Sequence, residues 1–170
     1  MNKANHDKTN NMRQPQPRAM IGHIHLTVAD LNRSLNFYHG LLGFQVTTDM
    51  EGAVFLSSGD YHHHIGLNVW KGPNAKPPPA NATGLFHFAI KYSNRKELAL
   101  IIRRIITSKY PIDGTADHGV SEAIYLRDPD GNGIELYVDR PKRKWPKDKN
   151  GKLVMYTKPL DIKKFLDGKK

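Results

Sequence analysis

The sequence predicts an α+β fold built from two paired βαβββ modules, residues 21–70 and 84–139, whose polar sheet faces line one shared cup. The same order of elements occurs twice: an alternating strand, an amphipathic helix and then further β-rich runs. A connector with three consecutive prolines, residues 71–83, separates the two copies. Neither a helix nor the interior of a sheet passes through such a run, so it marks the boundary between modules.

The first module begins with a strand at residues 21–29, in which apolar residues alternate with His23 and His25. One face of this strand is therefore apolar, and the other carries imidazoles. Asp30 is placed to cap the next helix, and Gly43 is placed to end it, because apolar residues recur at helical spacing between them. Three short β-rich runs follow, at residues 44–48, 53–57 and 62–70.

The second module repeats this order after the connector. Its first strand, residues 85–91, alternates and carries His87 on the polar face. Asn94 and Glu97 have the spacing of an N-cap and the third helical residue, and they open a helix with an apolar side. The remaining strands are predicted at residues 123–127 and 133–139, joined by the turn 128–131 (DPDG).

The charge of +10 is concentrated at the two ends of the chain. Residues 1–20 carry +3 and residues 140–170 carry +9, whereas the body between them carries −2. We interpret residues 1–18 as a disordered basic tail, residues 19–140 as the folded domain and residues 141–170 as a basic, solvated C-terminal extension. Residues 153–157 could add a strand and residues 160–166 a short helix. Specific nucleic-acid binding is not expected from a nearly neutral body.

Composition excludes several classes of site and location. The chain has no cysteine, which rules out disulfides, zinc–thiolate sites, iron–sulfur clusters and cysteine nucleophiles. No run approaches the roughly 20 apolar residues that span a membrane. The first 18 residues lack the apolar stretch of a secretory signal, so we expect a cytoplasmic location and no membrane partner.

Three residues combine into a predicted metal site. His23 and His87 begin equivalent strands of the two modules, each on the polar face. Glu135 lies in the last strand of the second module, on the face opposite its apolar neighbours, where a carboxylate avoids the core. Two imidazoles and one carboxylate on converging strands form a facial triad, which suits Fe(II), Mn(II) or Zn(II) and leaves coordination positions open.

Three segments resemble, in order, the metal strands of the vicinal oxygen chelate superfamily. They are residues 22–31 (GHIHLTVADL), 84–90 (GLFHFAI) and 128–136 (DPDGNGIEL). This superfamily includes glyoxalases, fosfomycin- and bleomycin-resistance proteins and extradiol dioxygenases. The resemblance covers roughly residues 19–140 and implies a glyoxalase-like fold with a metal-binding cup. It also implies that His23, His87 and Glu135 are the metal ligands and that the protein is a homodimer.

A second set of residues resembles the extradiol dioxygenase branch. His118, the pair 124–125 (IY), the turn 128–131 and Glu135 follow one another as in those enzymes, although Ala116 departs from their pattern. The resemblance implies that Tyr125 hydrogen-bonds the substrate and that His118 supports the same pocket. The connector and the C-terminal extension resemble those of Bacillus-type catechol 2,3-dioxygenases, which commonly have four modules where this chain has two.

Gly66 separates the dioxygenase branch from the glyoxalases. By resemblance, glyoxalases carry a carboxylate metal ligand at this strand position. Glycine has no side chain to donate, so this chain keeps three protein ligands and more open coordination positions. This difference favours a dioxygenase.

The acid/base histidine has two interpretations. In the family it precedes an apolar–small–apolar run, and the match to residues 65–67 (IGL) implies His63. Strand alternation counted back from Gly66 instead places His62 and His64 in the cup. We follow the resemblance, because a strand start or a bulge can shift the alternation.

Together these features imply a metal-dependent, ring-cleaving extradiol dioxygenase that acts on a catechol-type aromatic with O₂, as in aromatic catabolism. The implied metal is Fe(II), with Mn(II), Zn(II) or Ni(II) as alternatives. His63 would act as acid/base, with Tyr125 and His118 beside the substrate. Other hypotheses are a different metalloenzyme of the superfamily (a glyoxalase-type lyase or isomerase, or a resistance thiol transferase) and a non-catalytic small-molecule-binding protein.

Overall fold

The computed structural model describes residues 19–72, 74–79 and 81–168, so the predicted N-terminal tail, residues 1–18, lies outside the described residues. The elements in chain order are β1 (Ile24–Thr27), α1 (Leu31–Leu35, continued by π-helical turns over Asn36–Leu41), β2 (Gln45–Met50), β3 (Ala53–Ser57), β4 (Ile65–Asn68), β5 (Phe88–Lys91), α2 (Arg95–Thr107), β6 (Gly114–Asp117), β7 (Ser121–Arg127), β8 (Gly133–Asp139), a 3₁₀ turn (Lys142–Lys144) and α3 (Ile162–Leu166). The predicted α+β class is confirmed. Within the described ranges, every helix is too short or too polar to cross a bilayer.

Each module forms one four-stranded sheet. The strand order is β1-β4-β3-β2 in the first sheet and β5-β8-β7-β6 in the second. The first and last strands of each module run parallel, and the other neighbours are antiparallel. Strands β1 and β5 are therefore edge strands, and no ladder joins the two sheets in the described part of the chain. Both edge strands begin directly after a histidine, His23 or His87.

The apolar faces of both sheets and the helices bury one continuous core. Among its fully buried members are Leu56, Leu67, Ile102 and Leu136. Burial alternates residue by residue along β8, whereas β4 and most of β3 and β7 are buried on both faces. The sheet face opposite the core carries the candidate site residues, of which His23 is exposed and His87 and Glu135 are partly exposed.

The turn between β7 and β8 holds the two modules together. Asp128 is only 3% exposed and accepts a hydrogen bond from the Tyr38 hydroxyl at 2.8 Å. Burial, together with the Asp128 charge, raises the pKa of Tyr38, so the hydroxyl remains a donor. Asp130 pairs with Arg33 and accepts a hydrogen bond from the backbone N–H of Ala29. This turn therefore fixes β8, which carries Glu135, against the first helix.

Two elements differ from the sequence predictions. The βαβββ repeat predicts three strands after the second helix but the sequence locates only two of them, because the four residues of the third, β6 (GTAD), show no apolar alternation. The C-terminal extension lies against the second module rather than free in solvent. The strand suggested at residues 153–157 is absent from this described segment, where only isolated bridges form. The short helix is present as α3, and its Phe165 is buried beneath the Arg95 guanidinium.

Candidate metal centre

The side chains of His87 and Glu135 are already in contact on the polar face of the second sheet. Parallel pairing of β5 with β8 brings His87 Nε2 to 3.3 Å from Glu135 Oε2. The Glu135 side chain is 14% exposed and that of His87 is 30% exposed. Two ligands of one divalent ion, each about 2.0–2.2 Å from the metal, lie about 3 Å apart. The donor types and the spacing of this pair therefore fit one metal ion.

Gly133 permits this close approach. A Cβ at position 133 would lie 2.3 Å from the carbonyl oxygen of Phe86 and 3.1 Å from His87 Cβ. The requirement at this position is space rather than an unusual backbone conformation. Glycine opposite His87 thus lets the segment before β5 lie flat against β8.

Replacing Gly133 with Ala is expected to displace Phe86 and His87 and to lower divalent-metal affinity about 10- to 100-fold. The extra methyl cannot be accommodated without moving the backbone that carries His87. Anaerobic calorimetric titration with Fe(II) or Mn(II) measures the change.

The matched control is Gly114→Ala, at the start of β6 in the same sheet, where no described heavy atom lies within 4 Å of the added Cβ. This variant is expected to bind metal like the unchanged protein. Thermal unfolding of both variants checks that the fold is retained. Equal metal affinity in the two variants would remove His87 from the ligand set.

Tyr125 and His118 extend the pair into a chain of hydrogen bonds. The Tyr125 hydroxyl donates to Glu135 Oε1 at 3.1 Å, and His118 Nε2 lies 2.7 Å from the same hydroxyl. Burial, the Glu135 charge and this hydrogen bond raise the pKa of Tyr125 to about 12. Tyr125 therefore keeps its proton over the ordinary pH range. Glu135 faces His87 with one oxygen and Tyr125 with the other.

Aromatic and histidine side chains cover the open face of the first sheet. His23 is exposed and its ring centroid lies 4.5 Å from that of His63. Phe55 lies 4.9 Å from His63, and His25 lies 5.1 Å from Trp70. Partial burial lowers the pKa of His63, and the neighbouring imidazoles lower it further. This surface offers flat apolar contacts beside titratable nitrogens.

The three consecutive histidines point in different directions. His64 turns towards β3, where its Nδ1 lies 3.0 Å from Ser57 Oγ. His62 and His63 bring their Nδ1 atoms to 2.7 Å from each other. Because β4 begins only at Ile65, the alternation of that strand does not extend back through the histidines. The structure thus places His63, rather than His64, beside His23.

A single chain does not gather the three predicted ligands. His23 and His87 both line a cleft of about 770 Å³ between the two modules. Among the described residues, no three His, Cys, Asp or Glu side chains are grouped closely enough to hold one ion. The structure brings His87 and Glu135 together and leaves His23 apart from them.

Position 66 offers no fourth ligand. Gly66 pairs with His25 across the parallel ladder, and a Cβ at Gly66 would lie 2.9 Å from the His25 ring. The space over this strand position is therefore filled by an imidazole. A carboxylate side chain could be placed there only if His25 moved away.

Sequence reasoning missed the contribution of the C-terminal extension to this site. The carbonyl oxygen of Tyr156 and Oγ1 of Thr157 lie 3.1 Å and 3.2 Å from His118 Nδ1. These contacts depend on docking of a segment that has neither helical nor strand periodicity. No local signal in the sequence identifies them.

The profile of the Glyoxalase/Bleomycin resistance protein/Dioxygenase superfamily matches residues 20–136. A relative from Bacillus subtilis named Catechol-2,3-dioxygenase is 43% identical over 148 residues, which cover 86% of this chain and 51% of the relative. A solved glyoxalase/dioxygenase structure from Nostoc punctiforme, at 23% identity, covers 78% of this chain and 99% of its own with a TM-score of 0.62, which shows the shared fold.

Two more distant relatives are named by their metals. A manganese-dependent 2,3-dihydroxybiphenyl 1,2-dioxygenase from Geobacillus genomosp. 3 is 26% identical over 79% of this chain and 41% of its own length. An iron-dependent extradiol dioxygenase from Rhodococcus jostii is 25% identical over 68% of this chain and 42% of its own length. The chain spans about half the length of these curated relatives.

Proposed function

Because the chain belongs to the Glyoxalase/Bleomycin resistance protein/Dioxygenase superfamily, we propose that it is a metal-dependent dioxygenase that opens the ring of a catechol-type aromatic with O₂. One observation carries this proposal. Glu135 contacts His87 through one carboxylate oxygen and the Tyr125 hydroxyl through the other, so a protonated hydroxyl stands beside a two-ligand metal position. The 43% identity to a protein named Catechol-2,3-dioxygenase supports the substrate class.

The proposed ligands are His23, His87 and Glu135. Two neutral imidazoles and one carboxylate leave coordination positions of the metal open for O₂ and for both oxygens of a diol. Relatives named as iron- and manganese-dependent favour these two metals, and we assign Fe(II), with Mn(II) as the first alternative. When bound, the ion would supply Lewis acidity and a redox link between the diol and O₂.

Three side chains act on the substrate in this proposal. His63 Nε2 or Nδ1 accepts a proton from a catechol hydroxyl and returns one later in the reaction, a role that typically contributes 10²–10⁴-fold. The Tyr125 hydroxyl donates a hydrogen bond to a substrate oxygen and orients it. Phe55 offers a flat contact for the aromatic ring on the face that carries His63.

We further propose that a second copy of the chain completes the cup. Among the described residues His23 is not grouped with His87 and Glu135, and strands β1 and β5 each leave their outer edge without a partner strand. Apolar residues beside these edges are open to solvent, including Ile21 at 89% and Phe86 at 86% exposure. Large apolar side chains next to unpaired strand edges are typical of a surface that a partner covers. The cup then takes His23 from one copy and His87 with Glu135 from the other.

Position 66 argues against a glyoxalase-type activity. A fourth protein ligand from β4 would require a side chain where His25 lies over Gly66. Three protein ligands leave more of the coordination sphere for a diol and O₂ than four do. A dioxygenase therefore fits the donor set better than an isomerase that holds its metal with four side chains.

Oxygen uptake tests the proposal. Protein reconstituted anaerobically with Fe(II) is offered catechol and substituted catechols, and O₂ consumption is followed together with the yellow ring-cleavage product. Iron-dependent uptake matched by product is expected. Saturable metal binding without turnover would contradict the dioxygenase and indicate another metalloenzyme of the superfamily. A failure to bind any divalent metal would contradict the metal centre and leave a small-molecule-binding protein.

A further inference from the structure

The C-terminal extension is held firmly against the loop that carries His118. Asp117 and Lys158 exchange two backbone hydrogen bonds of 2.8 Å and 3.0 Å. Gly119, with a φ of +76°, lies so close to the Tyr156 ring that an added Cβ would be 2.7 Å from it. Both the space and the backbone conformation require glycine here. The extension is therefore built into the wall of the site.

A second set of contacts anchors the same segment further along. The Thr115 hydroxyl in β6 donates to the carbonyl oxygen of Leu160 and accepts from its N–H, at 2.8 Å and 3.2 Å. Phe165 in α3 is 3% exposed. Together with the Asp117–Lys158 hydrogen bonds, these anchors fix the chain at and after residue 158, so the groups that residues 156 and 157 present to His118 have defined positions.

The His118 ring meets a different kind of partner at each nitrogen. Its Nδ1 faces the Tyr156 carbonyl oxygen at 3.1 Å and Thr157 Oγ1 at 3.2 Å, and its Nε2 faces the Tyr125 hydroxyl at 2.7 Å. A carbonyl oxygen only accepts a hydrogen, whereas a hydroxyl can also donate one. A neutral imidazole carries a single N–H. Because the Tyr125 hydroxyl donates to the Glu135 carboxylate, which can only accept, its oxygen is left to accept from His118 Nε2–H, and Nδ1 then accepts from the Thr157 hydroxyl rather than donating to the Tyr156 carbonyl.

The two tautomers have opposite consequences for Tyr125. If Nδ1 donates to the Tyr156 carbonyl, then Nε2 lacks a hydrogen and draws the Tyr125 hydrogen towards His118. If Thr157 donates to Nδ1, then Nε2–H donates to the Tyr125 oxygen. The Tyr125 hydrogen is then free to point into the cup, where Glu135 Oε1 lies 3.1 Å away.

We propose that Thr157, on the C-terminal extension, is a positioning residue of the site: its hydroxyl donates to His118 Nδ1 and thereby aims the hydroxyl hydrogen of Tyr125 into the cup. Thr157 acts through His118 and touches neither substrate nor metal. The catalytic consequence rests on the proposed function, whereas the tautomer of His118 does not.

The ¹⁵N chemical shifts of the His118 ring, measured on metal-free protein at a pH where the ring is neutral, test the proposal directly. The variants are Thr157→Val, which keeps the shape but loses the hydroxyl, and Thr157→Ser, which restores it. Thr107→Val, at the exposed end of α2, is the matched control. His118→Gln identifies the ring signals.

In the unchanged protein, and in the Thr157→Ser and Thr107→Val variants, we expect the His118 ring to carry its hydrogen on Nε2. In Thr157→Val we expect the hydrogen on Nδ1. The backbone amide signals of Asp117 and Lys158 report whether the extension stays docked. An unchanged ring in Thr157→Val would overturn the proposal. So would a ring change accompanied by displaced Asp117 and Lys158 signals, because undocking rather than the lost hydroxyl would then be the cause.

In turnover, Thr157→Val is expected to lower kcat about 10-fold with little change in KM, and Thr157→Ser is expected to recover most of the loss. This difference between kcat and KM follows because the hydroxyl hydrogen of Tyr125 changes direction while the Tyr125 side chain stays in position. Failure of the proposed function would leave no turnover in any variant while the ring signals still respond to Thr157. Failure of the present inference would leave turnover intact and the ring signals unchanged.

Discussion

Replacing Glu135 with Gln is expected to abolish Fe(II)-dependent ring cleavage, lowering kcat by about 1000-fold or more. The amide keeps the size of the side chain and can still accept the Tyr125 hydrogen bond, so the sheet is preserved. It removes the only anionic donor of the proposed ligand set. A metal site contributes several kcal/mol of stabilisation, and each 1.36 kcal/mol corresponds to a tenfold change in rate.

Two measurements accompany the rate. Anaerobic titration with Fe(II) is expected to show weaker binding in Glu135→Gln, and the unfolding temperature of the metal-free protein is expected to change little. The matched control is Glu51→Gln, an exposed glutamate in the turn between β2 and β3. It is expected to keep both metal binding and turnover. Turnover within tenfold of the unchanged protein in Glu135→Gln would place the metal elsewhere and contradict the proposed ligand set.

The parts of the fold that the sequence predicts well are those governed by local periodicity. Strand alternation in β8 identifies the open face that carries Glu135, because a period of two assigns each side chain to one face of the sheet. The caps at Asp30 and Asn94 are likewise found at the predicted helix starts, where each side chain accepts backbone N–H hydrogen bonds. Short-range spacing is enough for these features.

Local periodicity does not predict features that depend on contacts between residues far apart in the sequence. Strand β6 owes its conformation to pairing with β7, since its own residues show no strand pattern. Thr157 approaches His118 across 39 residues, through docking that the basic composition of the extension does not suggest. The separation of His23 from Glu135 depends on how two complete sheets pack, which alternation within each sheet does not determine.

Mixing His23→Ala protein with Glu135→Gln protein is expected to restore activity that neither variant has alone. If each cup takes His23 from one copy and His87 with Glu135 from the other, a mixed dimer contains one cup with every ligand intact. Random exchange makes half of the dimers mixed, and each has one working cup of two, so about a quarter of the unchanged activity should return. Oxygen uptake measured after exchange of the subunits gives the value.

The pair His87→Ala and Glu135→Gln provides the matched control, because both changes fall on the same half of the cup. Every cup in a mixed dimer of these two variants lacks one ligand, and no activity is expected to return. Differently tagged copies that purify together show that exchange has occurred. If exchange occurs and neither pair regains activity, the cup closes within one chain, at the cleft that both His23 and His87 line. Recovery by the first pair alone places the ligands on two chains, since only then does each variant supply what the other lacks.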